Sequence, residues 1–212
     1  MKAFTWIALS VLLAITTRFL LVGVYKVPSY SMSPSLVSGD YILVSKMAYG
    51  LKFPWTASQT NNLVLPKYGD IVILNFKKRQ TTPYVKRVMA RPGDKVTITA
   101  GRLEINGKPC EYKKIDSSKD NSYFENCGNS SHQIELPLNE DITDKAQLTV
   151  PPGHVFVLND SRESNEDSRT LDFVQVDQIA GKVVMILYSY GTTQDSISED
   201  KSIQWNRILT TP

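Results

Sequence analysis

The chain has 212 residues, 24 Lys and Arg against 21 Asp and Glu, and a net charge of +3. So even a balance, without a basic stripe interleaved with aromatics, excludes the electrostatic footprint of a nucleic-acid binder. The 42% hydrophobic fraction suits a folded chain with one appended apolar span, leaving one sizeable domain or two small ones that share a core.

The first element is an apolar run from Ala3 to Val24, 22 residues long, against the ~20 that a helix needs to cross the hydrocarbon. Its one charge, Arg18, stands near the outer end, where a long side chain reaches the headgroups. A cleaved signal peptide has an apolar core of only ~7–15 residues ending in a small-x-small site. Leu21-Val22-Gly23-Val24-Tyr25-Lys26 offers no good site of that kind. The segment therefore reads as an uncleaved anchor over residues 1–26, followed by a domain over 27–212. Lys2 and the amino terminus give a weak positive-inside signal that places the domain outside. Cys110 and Cys127 are the only cysteines. A disulfide in an oxidising compartment suits them, with two unpaired thiols as the alternative.

After the anchor the signal is β. Tyr41–Ser45 and Asp70–Phe76 are short β-branched runs, each entered through a Gly-Asp step or its Asp. Tyr84–Arg87 reads as a strand. Val96–Thr99 and Arg102–Ile105 flank Ala100-Gly101 like the arms of a hairpin, and Asn106-Gly107 starts another turn. His154–Leu158 follows Pro151-Pro152-Gly153, and Ile179–Tyr190 reads as a long strand broken by Gly181. Short strands without helical periodicity predict a mainly β fold, an antiparallel sheet folded into a sandwich or barrel. Leu51–Leu65 is aromatic and irregular, either lying against headgroups or packed as an ordinary loop. Residues 108–150, and most clearly Lys113–Gln147, read as an inserted polar loop or small β ribbon.

Cleaving an amide needs a nucleophile, a base for its proton, and donors for the oxyanion. His132 lies in the polar insert and His154 follows a proline turn, so both read as surface residues. Gly-x-Ser-x-Gly and His-Glu-x-x-His are absent, which removes the main support for esterase and zinc-protease readings. Lysine serves as the base in Ser-Lys variants of the triad, but only when neutral. At its reference pKa roughly one lysine in 2,500 is deprotonated at pH 7. Burial has to lower it toward ~7–8. Lys86, between Val85 and Arg87-Val88, is the candidate, although such a lysine also fits an exposed strand edge.

Pro28-Ser-Tyr-Ser-Met-Ser-Pro-Ser-Leu36 closely resembles the serine box of bacterial type I signal peptidases, Pro-Ser-x-Ser-Met-x-Pro-Thr-Leu. Gly69–Ile73, Tyr84–Lys95 and Asn159–Arg169 follow in that family's order, and the likeness runs to Trp205-Asn-Arg207. The resemblance implies that Ser31 is the nucleophile and Lys86 the general base. The Ser29 hydroxyl and the Ser31 N–H would form the oxyanion hole. Met32 and Pro34 would shape the site. Arg87 would pair with Asp160, and Asp167 with Arg169, with Ser168 in support. The last block departs from the family's Gly-Asp-Asn-Arg-Asp-Asn-Ser-x-Asp-Ser-Arg. Asn159 replaces the glycine, Ser161 the first asparagine, and Asn165 the serine that normally bonds the lysine amine. Asn165, through its amide oxygen, or Ser164 is expected to take over that bond.

The implied activity is a membrane-anchored serine endopeptidase that removes signal peptides from exported preproteins. The implied location is the inner (plasma) membrane, single-pass, with the catalytic domain on the outer, periplasmic face. Its partners are those signal peptides and the lipid bilayer, with no nucleic acid, and it is expected to act as a monomer. No cofactor and no metal is implied. Two other readings remain: a processing peptidase dedicated to one pilin-like or conjugation substrate, and a catalytically weak homologue that binds at the membrane. The self-cleaving repressors that share the dyad are disfavoured by the anchor.

Overall fold

The computed structural model describes residues 2–50, 64–75, 84–116, 121–128, 130–138, 145–191 and 202–212, with the side chains of 2–3, 14–20 and 145–146 outside that description. Helix α1 spans Lys2–Leu20 and ends before the apolar run does. Val22–Lys26 form instead the first strand, β1, so the helix does not extend to Val24. Gly23 and the β-branched Val22 and Val24 suit an extended backbone as well as they suit an apolar run. The tie-breaker is register: Val22 to Lys26 pair residue by residue with Ser45 to Tyr41. Among the described residues no helix is long and apolar enough to cross a membrane. The Arg18 side chain and most of Leu51–Leu65 lie outside the described residues.

The remaining strands are, in chain order, β2 (Asp40–Ser45), β3 (Ile71–Leu74), β4 (Tyr84–Ala90), β5 (Lys95–Thr99) and β6 (Arg102–Ile105). They continue with β7 (Lys108–Pro109), β8 (Glu111–Lys114), β9 (Ser122–Cys127), β10 (Ser130–Glu135), β11 (Lys145–Thr149) and β12 (His154–Leu158). A one-turn helix α2 (Ser168–Leu171) leads to β13 (Val174–Gln175), β14 (Ile179–Gly191) and β15 (Ser202–Ile203). The main sheet runs β1-β2-β14-β3-β4-β12-β13 with β15 beside β14. Two smaller sheets, β11-β5-β6-β7 and β10-β9-β8, complete a mainly β, antiparallel architecture.

Alternation is visible in β2, whose burial strictly alternates, but not in β3, where all four residues are buried. Ile71 and Ile73 enter one cluster with Val27, Met32, Leu36, Ile42 and Val85. Val72 and Leu74 enter another with Val88, Val155 and Val157. The sheet is therefore covered on both sides around β3 and β4, which is why β3 reads as a continuous apolar run. A third cluster packs Met89, Phe156 and Leu158 of the main sheet against Val96, Ile98 and Leu103.

The hairpin turns follow their residues. Ala100-Gly101 and Asn106-Gly107 all have positive φ, as the mirror-image turns of tight hairpins require. Gly181 does not break β14, which runs unbroken for 13 residues. A Cβ there would lie 2.6 Å from the Ser45 carbonyl oxygen. The glycine lets β2 come close, and the register shifts beside it.

Residues 108–150 hold strands rather than a loop. Strands β8 to β10 form their own sheet, while β7 pairs β6 and β11 pairs β5 in the sheet next to it. Cys110 and Cys127 form a disulfide across the segment, set inside the third cluster.

Candidate active site

Lys86 and Arg87 sit side by side on β4, both buried at 2% and 4% exposure. They point to opposite faces and meet successive residues beyond the end of β12. Strand β4 pairs with β12 through Val88↔Val157 and Arg87↔Leu158, so the chain leaving β12 passes beside the two cations. The Lys86 amine donates to Asn159 Oδ1 at 2.6 Å. Arg87 grips Asp160 with two bonds, Nε to Oδ1 at 2.8 Å and Nη2 to Oδ2 at 2.7 Å. The next residue, Ser161, donates its N–H to the Ser31 carbonyl at 3.0 Å. Three consecutive residues, 159 to 161, thus touch the candidate base, its neighbouring arginine and the candidate nucleophile's backbone.

The serine segment is a tight turn. Ser33 N–H donates to the Tyr30 carbonyl and Leu36 N–H to that of Met32. Met32 and Leu36 are buried in the first cluster and anchor it. The exposed Ser29 and half-buried Ser31 present their hydroxyls to each other at 3.1 Å, and the Ser31 N–H lies 3.5 Å from Ser29 Oγ. Arg87 reaches this turn as well, donating to Ser35 Oγ at 2.9 Å and to the Gly69 carbonyl at 2.8 Å. From the end of the chain, Arg207 donates to the Ser35 carbonyl at 3.0 Å and pairs with Asp40 at 2.6 Å. Gly69 cannot carry a side chain here. Its φ is +82°, and a Cβ would lie 2.2 Å from Ser130 Oγ.

Burial has the effect on Lys86 that a general base needs. Desolvation of the ammonium lowers its pKa from 10.5 to about 8, opposed by the charges of Asp167 and Glu166 and aided by Arg169. The Tyr84 ring lies 5.4 Å from the amine, and Val72 faces Lys86 across the strand pair.

The segment after β12 is held from within. Asp167 caps α2, accepts from the Arg169 N–H and side chain, and accepts from the Asn159 N–H at 3.0 Å. Ser168 accepts the Val157 N–H through its hydroxyl at 3.0 Å. The lysine's partner differs from the expectation. Asn165 takes part through its main-chain carbonyl, which accepts the Asp167 N–H and the Thr170 hydroxyl. Ser164 also uses its carbonyl, which accepts Asn159 Nδ2 at 3.0 Å and the Arg169 guanidinium. The amine is bound from position 159, where the resembled pattern has a glycine with no side chain to offer.

The second difference lies in the insert. Arg162 is 1% exposed and donates to the Asn159 carbonyl and the Gly101 carbonyl, both at 2.9 Å. Its remaining nitrogen pairs with Glu125 of β9. Glu125 is itself fully buried, and also accepts from Tyr112 at 2.6 Å. Burial alone would raise the Glu125 carboxyl, but Arg162 beside it outweighs this and holds it down at about 2. His132 is buried next to them rather than on the surface, its Nε2 3.0 Å from Glu125. His154 is only half-buried, its ring bonded to the Pro152 carbonyl. Glu135, at the end of β10, accepts from Ser33 Oγ at 3.1 Å, and its N–H donates to the Asp160 carbonyl. The insert therefore abuts the serine turn. Charged residues in a polar stretch gave no sequence signal for this, though Arg162 lies in a matched block.

Among the described residues no group of His, Cys, Asp and Glu is arranged to hold a metal ion. The arrangement offers a buried amine of lowered basicity, a turn with two facing hydroxyls, and a backbone N–H at the same place.

Residues 1–188 match the family model described as signal peptidase, peptidase S26. The chain is 33% identical over 168 residues to a signal peptidase I of Bacillus caldolyticus, covering 79% of this chain and 80% of that one. It is 32% identical over 164 residues to a signal peptidase I of Pseudomonas aeruginosa, covering 74% of this chain. The matched region spans only 58% of that relative's length and 59% of the one from Pseudomonas fluorescens.

Proposed function

The chain belongs to the signal peptidase family, peptidase S26, and from this premise we propose that it is a membrane-anchored serine endopeptidase removing signal peptides from exported preproteins. The observation that carries the proposal is the lysine. Lys86 is an amine 2% exposed, with a pKa lowered to about 8 by burial, held on the same three-residue segment that binds the Ser31 carbonyl. A structural surface lysine has neither property.

In the proposed reaction the neutral Lys86 amine takes the proton of Ser31 as its oxygen attacks the scissile carbonyl. Near neutral pH a pKa of about 8 leaves roughly a tenth of the amine neutral, against a few parts in ten thousand for an ordinary lysine. The Ser29 hydroxyl and Ser31 N–H stabilise the oxyanion. The lysine, now an ammonium, gives its proton to the leaving amine, and water then hydrolyses the acyl-enzyme with the lysine again as base. Arg87, Asp160, Asp167, Ser168 and Arg169 hold the strands and turn around the dyad, and Met32 anchors the serine turn to the core.

The substrate is an extended peptide laid beside the site, with small residues at the first and third positions before the cut. The anchor is supported by α1. Phe4, Trp6, Ile7, Leu9, Val11, Leu12 and Leu13 are all more than half exposed, so apolar side chains lie around the whole helix and not along one stripe. Such a surface is covered by lipid in a chain whose substrate arrives at the bilayer. The disulfide supports a catalytic domain on the outer face of the plasma membrane. The direct test is cleavage of a preprotein in detergent by the parent and by Ser31→Ala. Loss of cleavage in the variant is expected, and full activity would exclude Ser31.

A further inference from the structure

We propose that Asn159 is the positioning residue of the catalytic lysine, its side-chain amide fixing which face of the Lys86 amine meets the nucleophile. The inference rests on the reading of Lys86 as the general base, and it assigns to Asn159 a role that no residue type at that position of the resembled pattern can fill.

The two ends of one amide make opposite bonds. Asn159 is fully buried. Its nitrogen donates to the Ser164 carbonyl at 3.0 Å, and a carbonyl oxygen can only accept. That partner settles the orientation of the amide, so the oxygen is the atom 2.6 Å from the Lys86 amine. An amide oxygen can likewise only accept. A neutral amine has two N–H groups and one lone pair, and Asn159 therefore engages an N–H and leaves the lone pair for the nucleophile's proton. A hydroxyl in the same place can donate into the lone pair and block it; an amide oxygen cannot.

The hold is stiff. The Asn159 N–H is bound by Asp167 and its carbonyl by Arg162, so the side chain starts from a backbone tied on both sides. The choice of amide over carboxylate is also electrostatic. The charged groups acting on Lys86 are Asp167 and Glu166, which favour the ammonium, and Arg169, which opposes it; Tyr84 adds its ring face from the lysine's own strand. A further anion at position 159 would favour the ammonium strongly at hydrogen-bond distance. A neutral acceptor orients the amine and leaves it basic at a useful pH.

The test is the titration of Lys86 in the full chain in detergent, followed through lysine 13Cε signals and assigned with Lys86→Met, for the parent, Asn159→Asp and Asn159→Ala. The aspartate should tighten proton binding by about 10-fold or more, because it sets a charge against the amine. The alanine should weaken it, because a bond stronger to the ammonium than to the amine is lost. Opposite displacements are the signature, since a residue that only supports the fold has no reason to move the two variants in different directions. Preprotein cleavage gives the second readout. Asn159→Ala should lose about 10-fold or more in kcat with KM little changed, and the acid limb of Asn159→Asp should follow its lysine to higher pH. If Asn159→Ala does not fold, the near-isosteric aspartate decides alone. A Lys86 midpoint that is the same in the parent and in whichever variants fold overturns the proposal. A parent whose lysine responds as described but which cleaves no preprotein overturns the proposed function and leaves the hold of Asn159 on the amine standing.

Discussion

Replacing Lys86 with methionine should abolish cleavage and, at neutral pH, relieve the fold of a cost. The pKa of the amine falls from 10.5 in the unfolded chain to about 8 in the folded one. At about 1.36 kcal/mol per pH unit, keeping the group buried costs about 3 kcal/mol at any pH below its folded pKa. Between the two pKa values the unfolded chain binds more protons than the folded chain, so parental stability rises with pH across that window. Below about pH 8 the penalty is present in full, and above about 10.5 it has gone. Methionine fills a similar volume and removes the charge, but leaves Asn159 Oδ1 without its donor, a loss of about 1–3 kcal/mol. The net gain at pH 7 is thus about 0–2 kcal/mol, and the firmer quantity is the pH dependence. Urea unfolding of parent and Lys86→Met from pH 7 to 11 should show their difference drifting in the parent's favour by about 3 kcal/mol. Groups other than Lys86 cancel in the subtraction. A difference that stays constant across that range would refute the claim that this lysine is buried as a displaced base.

The remaining expectations are independent of one another. Ser29→Ala should lower kcat by ~10²–10³ with little change in KM, the usual cost of one oxyanion donor, and steady-state kinetics on a preprotein would show it. Arg87→Met should destabilise by ~3–5 kcal/mol, because Asp160 is left as a buried carboxylate without its cation; a denaturation midpoint equal to the parent's would count against the pairing described. Glu125→Gln should cost stability at neutral pH and flatten the acid limb of the stability curve. The folded carboxyl is held at about 2 against an ordinary 4.5, so its contribution is present above about 4.5 and is lost as pH falls toward 2. Cys110→Ser with Cys127→Ser should cost at most ~3 kcal/mol for a loop of this size, read by thermal unfolding, while cleavage at 25 °C persists.

The strands that were legible in the sequence are those whose signal is local. Arg102–Ile105 and His154–Leu158 were bounded by turn residues and an apolar pattern, and both strands have those limits. Glu111–Lys114 and Ser122–Cys127 were not legible, since Glu-Tyr-Lys-Lys and Ser-Tyr-Phe-Glu-Asn-Cys carry little apolar alternation. What holds them is distant: a disulfide, and the buried Glu125 meeting Arg162 from 37 residues away. Val22–Val24 failed for the opposite reason, because their composition serves a membrane helix and a strand equally well. At the site, residue order pointed to Lys86 and to Ser31. It could not tell which amide faces the lysine, because Asn159 and Asn165 are alike in composition, and only the path of the chain out of β12 separates them.

The bond between Lys86 and Asn159 joins residues 73 apart in the chain, so the displaced basicity of the amine exists only once β4 and β12 have paired. Until β12 has docked along β4, the lysine is an ordinary hydrated ammonium and Ser31 an ordinary alcohol. Basicity is thus a property of the finished sheet and not of any segment of it. A chain still emerging, or one misassembled at this seam, is chemically inert toward its neighbours and toward itself. The topology acts as an interlock, withholding reactivity until the strands that confine it are in place.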